Sequence, residues 1–209
     1  KKNIILQGAP GVGKTYSAKR LAYTIMGEKD DSRISIVQFH QNYSYEDFIG
    51  AEVLRSEDGG TYVTTKQGVF LKYIEKVKSD PDKSNKYLLV IDELNRGNIA
   101  EIFGESILAL DRNYEASLSK EYEDVGTLSI PHNLYIVATM NTSDRNIAFL
   151  DLAIRRRFAF VPLLPNYDFL SEEVIFQDFD LGNILKQINQ RIIDTLKDPE
   201  FILGHSYFI

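Results

Sequence analysis

Leu6-Gln7-Gly8-Ala9-Pro10-Gly11-Val12-Gly13-Lys14-Thr15 is the stretch that decides the fold of this 209-residue chain. Gly8, four intervening residues and then Gly13-Lys14-Thr15 have the spacing of a phosphate-binding loop. The apolar run Ile4-Ile5-Leu6 enters the loop. Ala18, Leu21, Ala22 and Ile25, on one helical face, leave it. Strand, loop and helix are the setting such a loop needs. Its chemistry follows from residue types: glycines let successive backbone N–H groups turn toward a polyphosphate, and the helix N-terminus adds positive potential. Lys14 supplies a point charge, Thr15 offers a hydroxyl to Mg²⁺, and residues 8–16, including Ala9, Pro10, Gly11, Val12 and Tyr16, form the expected nucleotide-contacting segment. A Gly-rich turn that happens to precede a lysine is the bland alternative, and the flanks count against it.

Working outward, the next chemical landmark is Tyr87 to Glu93, YLLVIDE, an unbroken apolar strand ending in two acids. A buried parallel strand needs no polar alternation, and its C-terminal tip is where open α/β sheets place ligands. Asp92 can hold Mg²⁺, and Glu93 can polarise an attacking water. An N-cap pair for the next helix is the structural alternative. Alone the pattern is common; some eighty residues after a phosphate-binding loop it reads as a Walker B element. The third landmark is Asn141, at the tip of the strand Leu134 to Ala138 and its extension Thr139-Met140. A neutral amide there can hold the lytic water or a γ-phosphate oxygen; its alternative is a turn starting with Thr142-Ser143-Asp144.

Between these landmarks, Ile34 to Phe39 reads as a second buried strand. Residues 51–65 read as a hairpin around Asp58-Gly59-Gly60, and Gly68 to Lys78 as a helix stopped by Ser79-Asp80-Pro81. A single helix carrying Ile99, Ile102, Phe103, Ile107, Leu108 and Leu110 follows the Walker B tip, then a short β-rich excursion over 115–130. His40 has no second histidine or acid cluster at metal spacing, so it reads as structural. Ile147, Leu150, Ala153 and Ile154 outline an amphipathic helix that closes on Arg155-Arg156-Arg157. Cations in a last turn complement the helix dipole. The sharper reading sends one or two of them to a neighbouring subunit's γ-phosphate, where a trans arginine contributes about 10³–10⁵-fold in rate. Phe158 to Leu163 reads as a fifth strand, and Leu181 to Leu196 as a helix capped by Asp180.

Composition sets limits on this picture. Hydrophobic content of 44%, charged content of 26%, twelve Tyr and twelve Phe suffice for a large core. The absence of cysteine excludes disulfides, thiolate ligands and a Cys nucleophile together. No apolar run approaches membrane-spanning length, so no membrane partner is expected and the expected location is the cytoplasm. A net charge of −6 argues against a surface devoted to nucleic acid. The expected architecture is an α/β, αβα sandwich with a five-stranded, mainly parallel sheet joined by right-handed crossovers over residues 1–165. Residues 166–209 are expected to start a helical lid, and the chain reads as a piece of a longer protein.

Taken together, GAPGVGKT, VQFHQNYSYEDFIG, IDELNRGNIAEIFGE, MNTSDRNIAFLDLAIRRRF and the closing GHSYF resemble the McrB group of AAA+ P-loop NTPases. These are the motor subunits of modification-dependent restriction systems. The resemblance spans nearly the whole chain. The Walker elements are generic, whereas MNTSDR with the downstream RRRF is particular. It implies hexameric rings, hydrolysis of GTP rather than ATP, stimulation by an McrC-type nuclease partner, and DNA binding through regions outside this stretch. It also places Asn141 and Asp144 beside the nucleotide, brings Arg96 toward a neighbour's phosphates, and makes Arg156 or Arg157 the trans finger. From the residues alone, only a Mg²⁺-dependent NTPase with a trans arginine follows, and an ATP-using relative fits equally. Two rivals share the loop: a MoxR-like ATPase chaperone, and a nucleotide-gated assembly module that hydrolyses little until its partner docks. A DNA-binding module is the weakest reading.

Overall fold

The computed structural model describes residues 1–57, 60–118, 127–143, 150–173 and 179–209. Its first strand, β1 (Asn3–Gly8), runs into the glycine loop, and α1 (Lys14–Met26) leaves it. β2 (Ile34–Gln38) is followed by α2 (Tyr45–Phe48), whose start is set by a capping box between Ser44 and Asp47. β3 (Gly50–Glu57) and β4 (Gly60–Gln67) pair antiparallel, as expected for a hairpin, while Asp58 and Gly59 lie outside the described residues, and α3 (Val69–Ser79) follows. Next come β5 (Tyr87–Asp92), α4 (Ile99–Phe103), and the short pair β6 (Ala116–Ser117) and β7 (Thr127–Leu128). The last elements are β8 (Leu134–Asn141), α5 (Leu152–Arg157), β9 (Ala159–Pro162), α6 (Tyr167–Glu173) and α7 (Leu181–Leu196).

The main sheet has the order β2-β5-β8-β1-β9, and all four pairings are parallel. Side chains alternate across it. Leu6, Leu88, Val90 and Val137 meet Ala18 and Ala22 of α1 on one face. Ile5, Leu89, Ile91, Ile136 and Ala138 meet the aromatic layer under α2, α3 and α4 on the other. The result is a three-layer αβα sandwich, which requires the near-continuous apolar strands seen in β5 and β8. Phe48 anchors the aromatic layer. It stacks on Phe70 at 4.7 Å and lies 4.9 Å from Phe103 and 5.5 Å from Phe39. Truncating so enclosed a ring to alanine costs about 3–5 kcal/mol.

Three expectations need correction. Ile34 to Phe39 is an edge strand, not a buried one: among the described residues β2 pairs only with β5, and Ile36 is 52% exposed because α1 packs over β1, β5 and β8. The helix expected through Leu110 is broken after Phe103. Gly104 takes φ 50°, and a Cβ there would meet the Tyr45 ring at 2.8 Å, so the chain continues as a tighter turn, Gly104–Leu110. Finally, Leu150 precedes α5 rather than lying within it. Asp151 accepts from the Ala153 N–H at 3.2 Å and caps the helix there, while Ile147 lies outside the described residues.

After β9, α6 packs on α7, whose N-terminus is capped by Asp180 accepting from Asn183 as expected. Among the described residues no helix is long and apolar enough to cross a membrane.

Candidate functional site

The loop from Gly8 to Gly13 lies at the C-terminal edge of the sheet, between β1 and α1. Gly11 (φ 77°) and Gly13 (φ 76°) take left-handed conformations that side chains resist, which turns the loop around an open concavity. Ala9 and Val12 are buried beneath it, and Tyr16 stands exposed on the first turn of α1 with the Arg20 guanidinium 5.7 Å above its ring. The Lys14 ammonium donates to the Gly8 and Ala9 carbonyls at 3.0 and 2.7 Å. It is therefore held within the loop, where an oxoanion would draw it.

Strand order brings the three landmarks together. β8 lies between β1 and β5, with Asn141 in register with Gly8 and the Thr142 N–H donating to the Gly8 carbonyl at 3.1 Å. The Thr15 hydroxyl donates to Asp92 Oδ1 at 2.9 Å. That same oxygen accepts from the Thr139 hydroxyl, which in turn accepts from the Glu93 N–H at 3.1 Å. Glu93 carries φ 55°, an uncommon left-handed geometry for a residue with a side chain, held by these neighbours. Its carboxylate accepts from Asn141 Nδ2 at 2.7 Å and pairs with Arg96 Nε at 3.2 Å. Asn95, 6% exposed, donates from Nδ2 to the Asn141 carbonyl at 3.1 Å. A cavity of about 530 Å³ connects Lys14, Thr15, Asp92, Glu93 and Asn141. It is large enough for a triphosphate.

Two hydroxyl- and carboxylate-type oxygens 2.9 Å apart, from Thr15 and Asp92, are a hard donor set suited to Mg²⁺, which favours oxygen ligands and keeps several waters. Glu93 and Asn141, joined by their own hydrogen bond, line the same cavity with a carboxylate and an amide, which suits a polarised water.

The expected trans arginines are elsewhere. Arg157 and Asn3 sit together, with Asn3 Nδ2 donating to the Arg157 carbonyl at 3.1 Å. Asn3 is at the opposite end of β1 from Gly8, five residues or about 17 Å away at strand rise. No arginine side chain spans that gap to its own loop. Arg155 and Arg156 are exposed, whereas Arg157 is half-buried and its NH1 donates to the Ala153 carbonyl at 3.0 Å. Nearby Arg112 is pushed down to about 10 by burial. Arg96 lines the cavity of its own chain. Asp144 lies outside the described residues. His40 is exposed and meets Tyr43 edge-on at 5.5 Å.

Thr139 and Asn95 were missed in the sequence reading, as was the seat of Ser206 and Tyr207 at the cavity wall. Thr139 carried a usable signal: it stands two residues before Asn141, so both point to one face of β8. The tail carried none that local pattern reveals.

Comparison with known proteins bears on the family. The model of the AAA domain, dynein-related subfamily, matches residues 3–158. The EcoKMcrB subunit of the type IV methyl-directed restriction enzyme of Escherichia coli K12 is 40% identical over 223 aligned residues, covering all of this chain and 47% of that protein. The YdiS component of the type II restriction enzyme BsuMI of Bacillus subtilis 168 is 26% identical over 195 residues, covering 76% of this chain and 56% of that protein. The chain thus spans about half the length of these relatives.

Proposed function

This chain belongs to the AAA domain family, in its dynein-related subfamily, and to the McrB group of AAA+ NTPases, and from that premise we propose that it is the motor domain of an McrB-like restriction subunit that hydrolyses GTP with Mg²⁺. The observation that carries the proposal is the unbroken chain of contacts Thr15–Asp92–Thr139–Glu93–Asn141, which links the first turn of α1 to the tips of the adjacent strands β5 and β8. It joins the side chains that would hold a metal to those that would activate water. Lys14 and the loop amides bind the β- and γ-phosphates. Thr15 and Asp92 hold the cation, which when bound neutralises charge on the phosphate oxygens. Glu93 takes the proton of the attacking water and Asn141 orients that water.

Arg156 is the proposed trans finger. It is exposed in the last turn of α5, and the length of β1 separates it from its own loop, so the phosphate it serves belongs to a neighbouring copy. Arg157, tied to Ala153, is better suited to fixing the end of α5. This supports a ring, which we propose as a hexamer working with an McrC-type nuclease partner; DNA would be met through regions outside this stretch. GTP is preferred over ATP on the likeness to the McrB group. Turnover of GTP against ATP by the full-length protein, with and without the product of its genomic neighbour, tests the proposal. GTP hydrolysis stimulated by that partner is expected. Efficient partner-independent ATP hydrolysis would instead favour a chaperone-type ATPase.

A further inference from the structure

The turn at the end of the described chain, Gly204–Phe208, has no part in the phosphate chemistry above, yet it is seated on the glycine loop. The Gly204 N–H donates to the Pro10 carbonyl and the Ser206 N–H to the Gly11 carbonyl, both at 2.9 Å. The fit is close. A Cβ on Gly204 would stand 1.9 Å from the Gly11 carbonyl carbon, and one on Gly11 would stand 2.7 Å from the Tyr207 ring. From behind, the buried Asn189 side chain of α7 accepts from the Leu203 N–H at 2.7 Å and donates to the Leu203 carbonyl at 2.9 Å. The turn is thus held between α7 and the loop, and Ser206 and Tyr207 line the same cavity as Lys14 and Thr15.

His205 is the chemically informative member. Its Nδ1 accepts from the Asn166 N–H at 3.1 Å, so the neutral ring carries its proton on Nε2. Partial burial pushes its pKa down, which favours that neutral form. Nε2 lies 3.8 Å from where a Cβ on Gly13 would stand, and Gly13 is the N-cap of α1, with no side-chain cap of its own. A triphosphate in the loop has two ends. Glu93 and Asn141 stand at the γ end, because that is where water attacks. We infer that the other end leaves the loop past Gly13, where the turn stands, and that the His205 Nε2–H donates there to the ribose of the bound nucleotide. This rests on the triphosphate reading of the loop. It makes His205 a binding residue contributed by the helical segment, facing the catalytic acids across the ligand.

The test compares GTP with inorganic tripolyphosphate, which has the phosphates without a nucleoside, by competition against a fluorescent GTP analogue on the full-length protein. His205→Ala is expected to weaken GTP about fivefold, the size of one neutral hydrogen bond, and to leave tripolyphosphate within twofold. His205→Gln, which keeps a donor at similar reach, is expected to recover most of the loss. Equal weakening of both ligands would reduce His205 to a prop for the turn, and unchanged GTP affinity would remove it from the site; either result overturns the inference. Failure of the underlying reading is separate: it would show as Lys14→Ala binding both ligands normally.

Discussion

Replacing Thr139 with valine tests the junction on which the proposed hydrolysis depends. Thr139 is 1% exposed, so valine fills the same space and the change is almost purely the loss of a hydroxyl. That hydroxyl makes two bonds, accepting from the Glu93 N–H and donating to Asp92 Oδ1. Without it, the Glu93 N–H loses its partner, at a cost of about 1–3 kcal/mol, while Asp92 keeps the Thr15 hydroxyl. A net loss of about 2 kcal/mol translates to a fall in Tm of roughly 4–8 °C for a domain of this size. The kinetic effect exceeds the stability effect, because the left-handed turn at Glu93 is no longer pinned to β8. A shift of the carboxylate by about 1 Å is enough to reduce kcat by roughly 100-fold. Nucleotide affinity changes little, since Lys14 and the loop amides are untouched. Thr139→Ser is the control: it keeps the hydroxyl, loses one buried methyl worth about 0.8 kcal/mol, and should retain turnover within a few-fold. Thermal unfolding, single-turnover hydrolysis and equilibrium binding on the three proteins complete the assay. A valine variant that melts and turns over like the parent would refute the reasoning.

Other outcomes are equally specific. Lys14→Ala should reduce triphosphate affinity by at least 100-fold in equilibrium titration; normal affinity would end the loop assignment. Glu93→Gln should bind and retain nucleotide while turnover drops at least 100-fold, and unchanged turnover would take Glu93 out of the mechanism. Mixed assemblies of Arg156→Ala and Glu93→Gln subunits should recover part of the activity that each lacks alone. Confirmed mixed rings without recovery would show that the arginine does not act across the interface. Asp30, lowered to about 2 by bonds from Ser32 and Arg33, gives a pH test on unfolding. Because its folded pKa lies below the unfolded value, its contribution is complete above about pH 4 and disappears as pH falls toward about 2. Asp30→Asn should flatten the stability profile in that window, and an unaltered profile there would refute the assignment.

Most of the site's chemistry could be read along the chain because each landmark is local. A phosphate-binding loop is defined by consecutive backbone conformations, so Gly8 to Thr15 declares itself by spacing. Asp92 and Glu93 follow an apolar run whose burial is evident from its composition, and Asn141 ends another. The aromatic stretch 40–50 offers no period to read, because it holds a turn, a four-residue helix and a capping box, each shorter than a period can reveal. Gly104 was hidden for a related reason: the helical pattern continues through it, and only the folded chain shows the backbone turning to φ 50° there, with no room for a side chain beside the Tyr45 ring.

The sequence by itself determined that the chain carries the loop, the two acids and the amide of a nucleotide-binding fold. Only the tertiary structure decided which of those groups meet. Hydrophobic periodicity describes the two faces of a strand and is silent about its in-plane neighbours. It therefore could not show that β8 lies between β1 and β5, nor that β2 is an edge. That placement puts Thr139 between Asp92 and Glu93, and Asn141 against Gly8. It also puts the length of β1 between the loop and Arg156, a separation that no reading along the chain contains. The groups are written in order; the distances between them come from how parallel strands are stacked side by side.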